Sequence, residues 1–213
     1  MHASVVLSVN LADVRTIRRN GKPLQTGIWK LPAEGPVAVG ALGLEGDVQV
    51  DRTVHGGPDQ AVYAYAREDA EWWEGELGRP LEHGTFGENL TLRGVDLTHA
   101  LIGERWRFGG SVLEVSAPRI PCAKLAAKIG DPRFVKRFAA AGRPGAYLRV
   151  IEEGELLAGA DAERVGRPDH DVTVLIAFRA LLGDHDLLPR LTEAPQLPER
   201  VRKWAARKIG ATA

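Results

Sequence analysis

The sequence predicts a mainly β fold, namely a closed or nearly closed β-barrel with a few peripheral helices, followed by a small C-terminal extension of three helices. Short runs of β-forming residues recur through the first two-thirds of the chain, where most of its 24 glycines and 13 prolines interrupt them. Many short strands with frequent turns favour a barrel over a parallel sheet. After about Pro168 the β signals become few, and helical patterns replace them.

Seven segments have the composition of strands. In one of them, Trp106 and Phe108 alternate with Arg105 and Arg107, which is the pattern of a half-buried strand. The pair Gly109-Gly110 follows and is a two-residue hairpin signal. The predicted strands cover residues 4–9, 37–40, 61–65, 89–92, 104–108, 111–115 and 146–151.

Three helices are predicted within this β-rich part of the chain. The first covers residues 67–77, and the second covers 123–129 and ends at Gly130, a natural C-cap. The third is predicted to begin at Asp131-Pro132, with aspartate as the N-cap and proline in the first turn, and to end at Gly142.

The change in pattern predicts two units, a β-barrel domain over residues 1–168 and a three-helix extension over residues 169–213. In the last helix, Leu197, Val201 and Trp204 recur at helical spacing as one apolar stripe. An extension of about 45 residues is small for independent folding. The basic residues of this helix are most simply a solvated face, and contact with an acidic partner protein is the alternative; they are Arg200, Arg202, Lys203, Arg207 and Lys208.

The composition gives no sign of a nucleic-acid-binding or membrane protein. The 28 basic residues balance 28 acidic residues, so no global charge favours a polyanion. No apolar stretch approaches the roughly 20 residues of a membrane-spanning helix, and the first residues lack the pattern of a signal peptide. With one cysteine the chain can form no internal disulfide, which suits a reducing compartment. We therefore expect a cytoplasmic protein, either a monomer or a homodimer.

Cys122 is the only cysteine of the chain. A lone cysteine is most often a small buried apolar residue, and this interpretation stays open. However, Cys122 follows Pro121 at the start of a predicted helix, where unpaired amides and the positive helix end favour a thiolate. Arg119 and Lys124 add positive charge nearby. The sequence therefore permits a reactive or metal-ligating cysteine.

The segment His55-Gly56-Gly57-Pro58-Asp59 is dense in turn-forming residues. Paired glycines allow the backbone to approach a ligand closely. The amides of Gly56 and Gly57, with the side chains of Arg52 and His55, can form a cradle for an anion. A tight connection capped by His55 is an equally good interpretation. The segment matches neither a Walker A loop nor a dinucleotide-binding fingerprint.

Two further polar residues are candidates with weaker signals. Lys30 can face a ligand or simply solvent, and Asn89 stands where a glycine-containing loop becomes a strand. No cysteine pair has zinc spacing, and no nucleophile elbow of a serine hydrolase is present. A dyad of Cys122 with His55 or His83 stays open, because such partners meet only in space.

Four segments in this order resemble the bacterial YiiM-type branch of the MOSC domain family, which is named for the C-terminal domain of molybdenum cofactor sulfurase. The segments are "TGIWK", "LGLEGDVQVDRTVHGGPDQAVYAY", "FGENL" and "PRIPCAKL". The three predicted C-terminal helices resemble the extension that follows the domain in this branch. The resemblance covers nearly the whole chain.

The resemblance implies a barrel-rich fold that binds a pterin-based molybdenum cofactor, with Cys122 as the molybdenum ligand or as a carrier of sulfur. It also implies reduction of small N-hydroxylated compounds such as 6-hydroxylaminopurine. Electrons are then expected from a separate flavoprotein or similar reductase, because the chain has no flavin or nicotinamide motif. The alternative is a non-catalytic protein that binds the cofactor or carries a persulfide on Cys122.

A thiolate is a suitable soft ligand for molybdenum already held by the sulfurs of its cofactor. The phosphate of the pterin needs hydrogen-bond donors, and Asn89 can bond the pterin edge. The expected phosphate donors are the side chains of Lys30, Arg52, His55 and Arg119 and the amides of Gly56 and Gly57.

Overall fold

The structure is a computed structural model that describes residues 4–19, 22–50 and 56–212. These residues form the strands β1 (Val5–Ala12), β2 (Arg15–Arg19), β3 (Lys22–Thr26), β4 (Lys30–Pro32), β5 (Val37–Gly40), β6 (Gly43–Leu44), β7 (Val62–Ala66), β8 (Leu90–Arg93), β9 (Arg105–Phe108), β10 (Ser111–Pro118), β11 (Ala146–Glu152), β12 (Gly154–Leu156) and β13 (Ala162–Gly166). All seven predicted strands are present, with boundaries that differ by up to three residues, and β5 matches its prediction at both ends.

Eight strands form one mixed sheet in the order β13-β9-β10-β11-β7-β8-β1-β4. Its pairings are antiparallel except for the parallel pair of β7 and β8. The predicted hairpin is confirmed, since Ser111 pairs with Phe108 across the glycine turn. Every residue of β7 and β10 is buried, because these strands lie in the interior of the sheet. Two small sheets accompany it, one of β12, β5 and β6 and one of β2 and β3.

The predicted closed barrel is wrong for the part of the chain that the structure describes. The eight-stranded sheet is open, with β13 and β4 as its two edges. The segment at the start of β13 contacts β1 through an isolated bridge between Val5 and Asp161. Three backbone hydrogen bonds accompany it, from Val6 N to Ala160 O at 2.9 Å, from Gly159 N to Val6 O at 2.8 Å and from Ala162 N to Ser4 O at 2.8 Å. Closure needs a continuous ladder between the two edge strands, and these contacts lead from the start of β13 to β1 and not to the other edge strand, β4. The correct description is a mixed, sheet-rich fold with several helices.

Three helices lie within the β-rich part, namely α1 (Arg67–Leu77), α2 (Ala123–Ile129) and α3 (Phe134–Ala141). The bounds of α1 and α2 match their predictions, and α2 ends at Gly130 in the left-handed conformation. The predicted start of α3 at Asp131-Pro132 is wrong. The Asp131 carboxylate accepts from the Arg133 amide at 2.8 Å and forms a turn, so that the helix begins only at Phe134.

The C-terminal part contains α4 (Val174–Leu181), a 3₁₀ helix over His185–Glu193 and α5 (Glu199–Thr212). The middle segment is therefore a 3₁₀ helix where the sequence predicts a short helix of unspecified type. Its Pro189 has no amide hydrogen, which disfavours a regular α-helix at this point. The hydroxyl of Thr173 caps α4 by accepting from the Ile176 amide at 3.1 Å.

Two hydrophobic clusters organise the described part of the molecule. One joins the sheet to the C-terminal helices, because Val174 and Ala177 of α4 and Ala205 of α5 pack in the same cluster as strand residues such as Leu113. The division of the chain near residue 168 stays a prediction.

The second cluster is largely aromatic and holds α1, α2 and α3 against β7, with Tyr65, Trp73, Phe86, Phe134 and Phe138 at its centre. Among the described residues, every helix lacks the length or the apolar character that a membrane span requires.

Candidate functional site

A pocket lies where the N-terminus of α2 meets two loops and the strand β7. Its walls come from parts of the chain that are far apart in sequence, and Cys122 is among them. The lining residues are Thr26, Gly27, Ile28, Lys30, Asp47, Val48, Gln49, Val50, Gln60, Tyr63, Gly87, Asn89, Arg119, Cys122, Lys124 and Tyr147. Four predicted site residues are thus brought together, namely Lys30, Asn89, Arg119 and Cys122.

Cys122 is the N-cap residue of α2, as the sequence predicts. Its carbonyl accepts from the amides of Leu125 at 3.1 Å and Ala126 at 3.3 Å, so the residue is fixed at the start of the helix. Its side chain is half-buried, with one side against the aromatic cluster and a place in the pocket wall. A wholly buried packing role is therefore excluded, and the thiol can reach a molecule in the pocket.

Arg119 is a buried cation in the same wall, with only 4% of its surface exposed. Its Nη1 donates to the carbonyl of Phe86, and its guanidinium carbon lies 5.0 Å from the centre of the Tyr63 ring. Burial lowers the pKa of Arg119, but the phenols and the thiol around it raise the pKa above its ordinary value. Its Nε is buried and finds no hydrogen-bond partner among the residues that the structure describes. This orphaned donor is a natural contact for an acceptor in the pocket.

Lys30 and Asp47 form a buried ion pair in the pocket wall. The Lys30 ammonium donates to both carboxylate oxygens of Asp47, at 2.5 and 2.6 Å. The side chains are only 8% and 4% exposed. Burial lowers the pKa of Lys30, and the adjacent Asp47 carboxylate opposes this shift. Asp47 also accepts from the Ala12 amide at 2.7 Å, so this pair ties β1 to the pocket.

Asn89 lines the pocket, but its side chain is engaged within the protein. Its Nδ2 donates to Asp47 Oδ2 at 2.9 Å and to Asn10 O at 3.2 Å, while its Oδ1 accepts from the Tyr63 amide at 3.1 Å. These three bonds hold β1, β7 and the Lys30–Asp47 pair around one amide group. A contact of Asn89 with a pterin edge stays a prediction.

The amides of Gly56 and Gly57 face glutamine side chains that line the pocket. Gly56 N donates to Gln60 Oε1 at 3.1 Å, and Gly57 N donates to Gln49 Oε1 at 3.3 Å. The two glycines themselves are not among the residues that line the pocket. Arg52 and His55 lie outside the described residues, so the predicted anion cradle stays a prediction.

The loop Gly84–Glu88 contributes Gly87 to the pocket wall and is held by charged side chains. The Glu88 carboxylate accepts from the amides of Gly84 at 2.6 Å and Phe86 at 2.9 Å. Burial raises the pKa of Glu88, whereas the amides and the nearby Lys128 ammonium oppose this rise. On the other side, Lys128 Nζ donates to Gly84 O at 2.5 Å and to Ile28 O at 2.9 Å.

Several residues of the site are not predicted from the sequence. Asp47 and Tyr63 stand within the resembling segment from Leu42 to Tyr65 but were not singled out as site residues, and Tyr147 belongs to no motif. All three reach the pocket through the fold. Lys128 carries one local signal, because it stands four residues after Lys124 on α2 and therefore shares its face. The open alternative of a dyad with His83 gains no support, because His83 is not part of the pocket lining.

The described residues contain no group of three or more His, Cys, Asp or Glu side chains arranged to hold a metal ion. A metal in this pocket would thus depend on ligands that a cofactor brings, with Cys122 as the soft ligand from the protein. The pocket wall also has more positive than negative side chains, with Lys30, Arg119 and Lys124 against Asp47. Such a wall suits an anionic molecule.

Comparison with known proteins shows which family this chain is similar to. The model of the MOSC domain family matches residues 51–163. The uncharacterized protein YflK of Bacillus subtilis is 42% identical over 181 residues, which are 85% of this chain and 81% of YflK. Protein YiiM of Escherichia coli is 36% identical over 157 residues, which are 72% of this chain and 69% of YiiM. A protein of Gibberella moniliformis named Reductase is 33% identical over 200 residues, which are 91% of this chain but 35% of that protein.

Solved structures agree with this assignment. The crystal structure of YiiM from Geobacillus stearothermophilus has a TM-score of 0.80 and 30% identity, and the match covers 96% of this chain and 98% of that one. YiiM from Escherichia coli has a TM-score of 0.71 and 29% identity, covering 86% and 89% of the two chains. The chain therefore belongs to the MOSC domain family and is a YiiM-type member of it.

Proposed function

We propose that this protein is a molybdenum cofactor-dependent reductase of small N-hydroxylated compounds such as 6-hydroxylaminopurine, with Cys122 as the protein ligand of molybdenum. The observation that carries the proposal is that one pocket is lined by the half-buried Cys122 thiol and by the buried Arg119, whose Nε has no hydrogen-bond partner among the described residues. Membership of the MOSC family and the relative named Reductase support a role in redox chemistry with this cofactor.

The residues of the pocket fit an anionic, pterin-based cofactor. Cys122 offers a soft sulfur ligand, and Arg119 offers a charged donor that lacks a partner within the described chain. Gly27 lies in the wall where an added Cβ would stand 2.4 Å from Val48 O, and Gly87 lies where one would stand 2.7 Å from a side-chain carbon of Ile28. Both glycines let the backbone segments of the wall approach one another closely. The donor set and the shape of the wall are thus compatible with the cofactor.

When bound, the cofactor would supply two-electron reduction, which converts an N-hydroxyl group, two protons and two electrons into an amine and water. In this pocket Cys122 would hold the metal, and Arg119 and Lys124 would bind negatively charged groups. Burial raises the pKa of Tyr147, although Arg119 opposes this, so its hydroxyl keeps its proton and can donate a hydrogen bond. The Lys30–Asp47 pair keeps the wall in place.

The electrons would come from a separate reductase that docks near the pocket. The last helix presents the exposed basic side chains of Arg200, Lys203, Arg207 and Lys208. Arg200 lies close enough to Tyr147 in the pocket wall to lower the pKa of that phenol. This proximity favours the interpretation of the basic face as a contact for an acidic partner.

The reductase assay tests the proposal directly. Protein from molybdenum-replete cells is supplied with a chemical or enzymatic electron donor, and conversion of 6-hydroxylaminopurine to adenine is measured. We expect Cys122→Ala and Cys122→Ser to lose reductase activity. The loss should exceed the about 10- to 100-fold that is typical when an outer-shell partner of a metal ligand is removed. Lys136→Ala, on the exposed face of α3, is the control and should keep full activity.

Full activity of Cys122→Ala would overturn the proposal. Absence of turnover in the wild-type protein, together with a persulfide mass on Cys122 after treatment with a cysteine desulfurase, would support the sulfur-carrier alternative instead.

A further inference from the structure

Lys128 makes two contacts that join three distant parts of the pocket. Its side chain is largely buried at the C-terminal end of α2, and its ammonium donates to Ile28 O at 2.9 Å and to Gly84 O at 2.5 Å. These acceptors are 100 and 44 residues away in sequence. They belong to the two loops that stand opposite the N-terminus of α2. One side chain therefore links α2 to both loops.

The Gly84–Glu88 loop is held from both sides by buried charged groups. The Glu88 carboxylate accepts hydrogen bonds from the amides of Gly84 and Phe86. The carbonyl of Gly84 accepts a hydrogen bond from Lys128, and the carbonyl of Phe86 accepts one from Arg119. Hydrogen bonds with a charged partner are stronger than neutral ones, and burial strengthens them further. The loop thus has a single well-defined position relative to the segment that contains residues 119–128.

Cys122 stands between these two cationic contacts. Arg119 precedes it by three residues, and Lys128 follows it by six residues on the same short helix. The helix is also packed by Leu125, Ala126 and Ile129 in the aromatic cluster. Its Ile129 carbonyl accepts from Arg79 Nη2 at 2.9 Å. The two carbonyl contacts of Lys128 connect this helix to the loops that contain Ile28 and Gly84.

From this geometry we infer that Lys128 is a positioning residue, which fixes the Cys122 thiol relative to the opposite pocket wall. The use of this positioning, which is to hold a metal ligand in place, rests on the proposed function. The positioning itself is a property of the protein without cofactor. Without the Lys128 contacts, α2 loses its side-chain hydrogen bonds to the carbonyls of Ile28 and Gly84, while the Arg119–Phe86 bond remains before the helix. The distance from the Cys122 thiol to the opposite loops is then less tightly fixed. The expected consequence is a local loosening of the site within a folded protein.

The test uses the purified full chain without cofactor. Lys128→Met keeps the length of the stem and removes both hydrogen bonds, and Lys128→Arg restores a charged donor group. Lys124→Met removes the same charge from the same helix and is the matched control. Two quantities are measured, namely amide hydrogen exchange in peptides covering residues 84–90 and 119–130, and the rate of Cys122 alkylation by iodoacetamide, read from intact mass because the chain has one cysteine.

We expect Lys128→Met to accelerate exchange in these two regions by at least about tenfold, the effect of losing two charge-assisted hydrogen bonds, and to alter the alkylation rate. Exchange in the strands of the sheet should stay unchanged. Lys128→Arg should return exchange and alkylation most of the way to wild-type values, and Lys124→Met should leave exchange of residues 84–90 unchanged.

Three results would overturn the inference. One is wild-type exchange and alkylation in Lys128→Met, and another is equal acceleration throughout the molecule, including global unfolding, which would make Lys128 a general stability residue. The third is no recovery in Lys128→Arg. Molybdenum content after maturation is measured in parallel, so that failure of the proposed function, seen as metal-free wild-type protein, is distinguishable from failure of this inference.

Discussion

Lys128 keeps an ammonium group in a position where water is largely replaced by protein. Burial lowers its pKa from 10.5 to about 8. Glu88 acts in the opposite direction, whereas the cations Arg119, Lys30 and Arg15 lower the pKa further. Desolvation therefore outweighs the attraction of the one facing carboxylate. The residue is still mostly protonated at neutral pH, and it can make its two carbonyl contacts as a charged donor.

The lowered pKa of Lys128 predicts a specific pH dependence of stability. Between about pH 8 and pH 10.5 the unfolded chain binds a proton at Lys128 that the folded chain has released, so a rise in pH favours the folded state. We expect the free energy of unfolding of the wild type to increase relative to Lys128→Met by up to about 3 kcal/mol across this window.

Urea unfolding of both proteins at pH 7.5 and pH 10 measures this difference. Comparison with the variant removes the contribution of the other titrating groups that the two proteins share. A stability difference that does not change between the two pH values, or that changes in the opposite direction, would show that Lys128 is not desolvated as described.

Among the elements, the Gly84–Glu88 loop depends most clearly on glycine. Gly84 has φ +81°, and a Cβ there would stand 2.5 Å from the backbone oxygen of Lys30, which cannot move aside easily. Gly78, the C-cap of α1, also has positive φ, at +64°, but an added Cβ would meet nothing within 4 Å. The two positions thus share a conformational requirement and differ in close packing.

Substitution of these two glycines separates the two effects. Gly78→Ala should cost about 1 kcal/mol of stability, because alanine disfavours the left-handed region. Gly84→Ala should cost about 2 kcal/mol more, because the added methyl group also forces backbone apart. Both values come from urea unfolding at neutral pH. Equal costs at the two positions would contradict the close contact of Gly84 with Lys30.

Elements with a clear pattern of apolar residues were predictable, and polar ones were not. The segments 67–77 and 37–40 form α1 and β5 with the predicted bounds. The hairpin of β2 and β3 escapes prediction because its strands, RTIRR and KPLQT, are mostly polar and contain a proline. The start of α3 was misplaced because the side chain of Asp131 bonds a turn and not a helix.

In the candidate site, too, the sequence predicts what depends on neighbouring residues but not what depends on distant ones. The position of Cys122 follows from neighbours in sequence, namely Pro121 and the start of α2. The roles of Asp47 and Lys128 depend on partners 17 and 100 residues away, which no local pattern reveals. The amides of Gly56 and Gly57 donate to the side chains of Gln60 and Gln49. The sequence pattern did not reveal these bonds either.

On the scale of the whole molecule, the C-terminal helices and the sheet share one core. The amide of Ile102 donates to Val172 O at 3.0 Å, and the amide of Val174 donates to Ala100 O at 2.9 Å. Backbone hydrogen bonds therefore also connect the start of α4 to the part of the chain that contains the sheet. Leu188, Leu191 and Leu197 contribute further to the same cluster. Neither part can bury these residues alone.

The shared core predicts a single cooperative unfolding transition for the chain. Differential scanning calorimetry should give one peak, with a calorimetric enthalpy equal to the van't Hoff enthalpy. Two resolved transitions, with one assigned to residues 169–213, would show instead that the extension folds independently.

The most direct test of the central claim is the molybdenum content of the protein. Wild type, Cys122→Ala and the control Lys136→Ala are purified from cells that make molybdenum cofactor in excess, and molybdenum per chain is measured by mass spectrometry of the metal. We expect close to one molybdenum per chain in the wild type and the control, and much less in Cys122→Ala. A near-zero content in matured wild-type protein, or equal content in Cys122→Ala, would contradict the assignment of Cys122 as the molybdenum ligand.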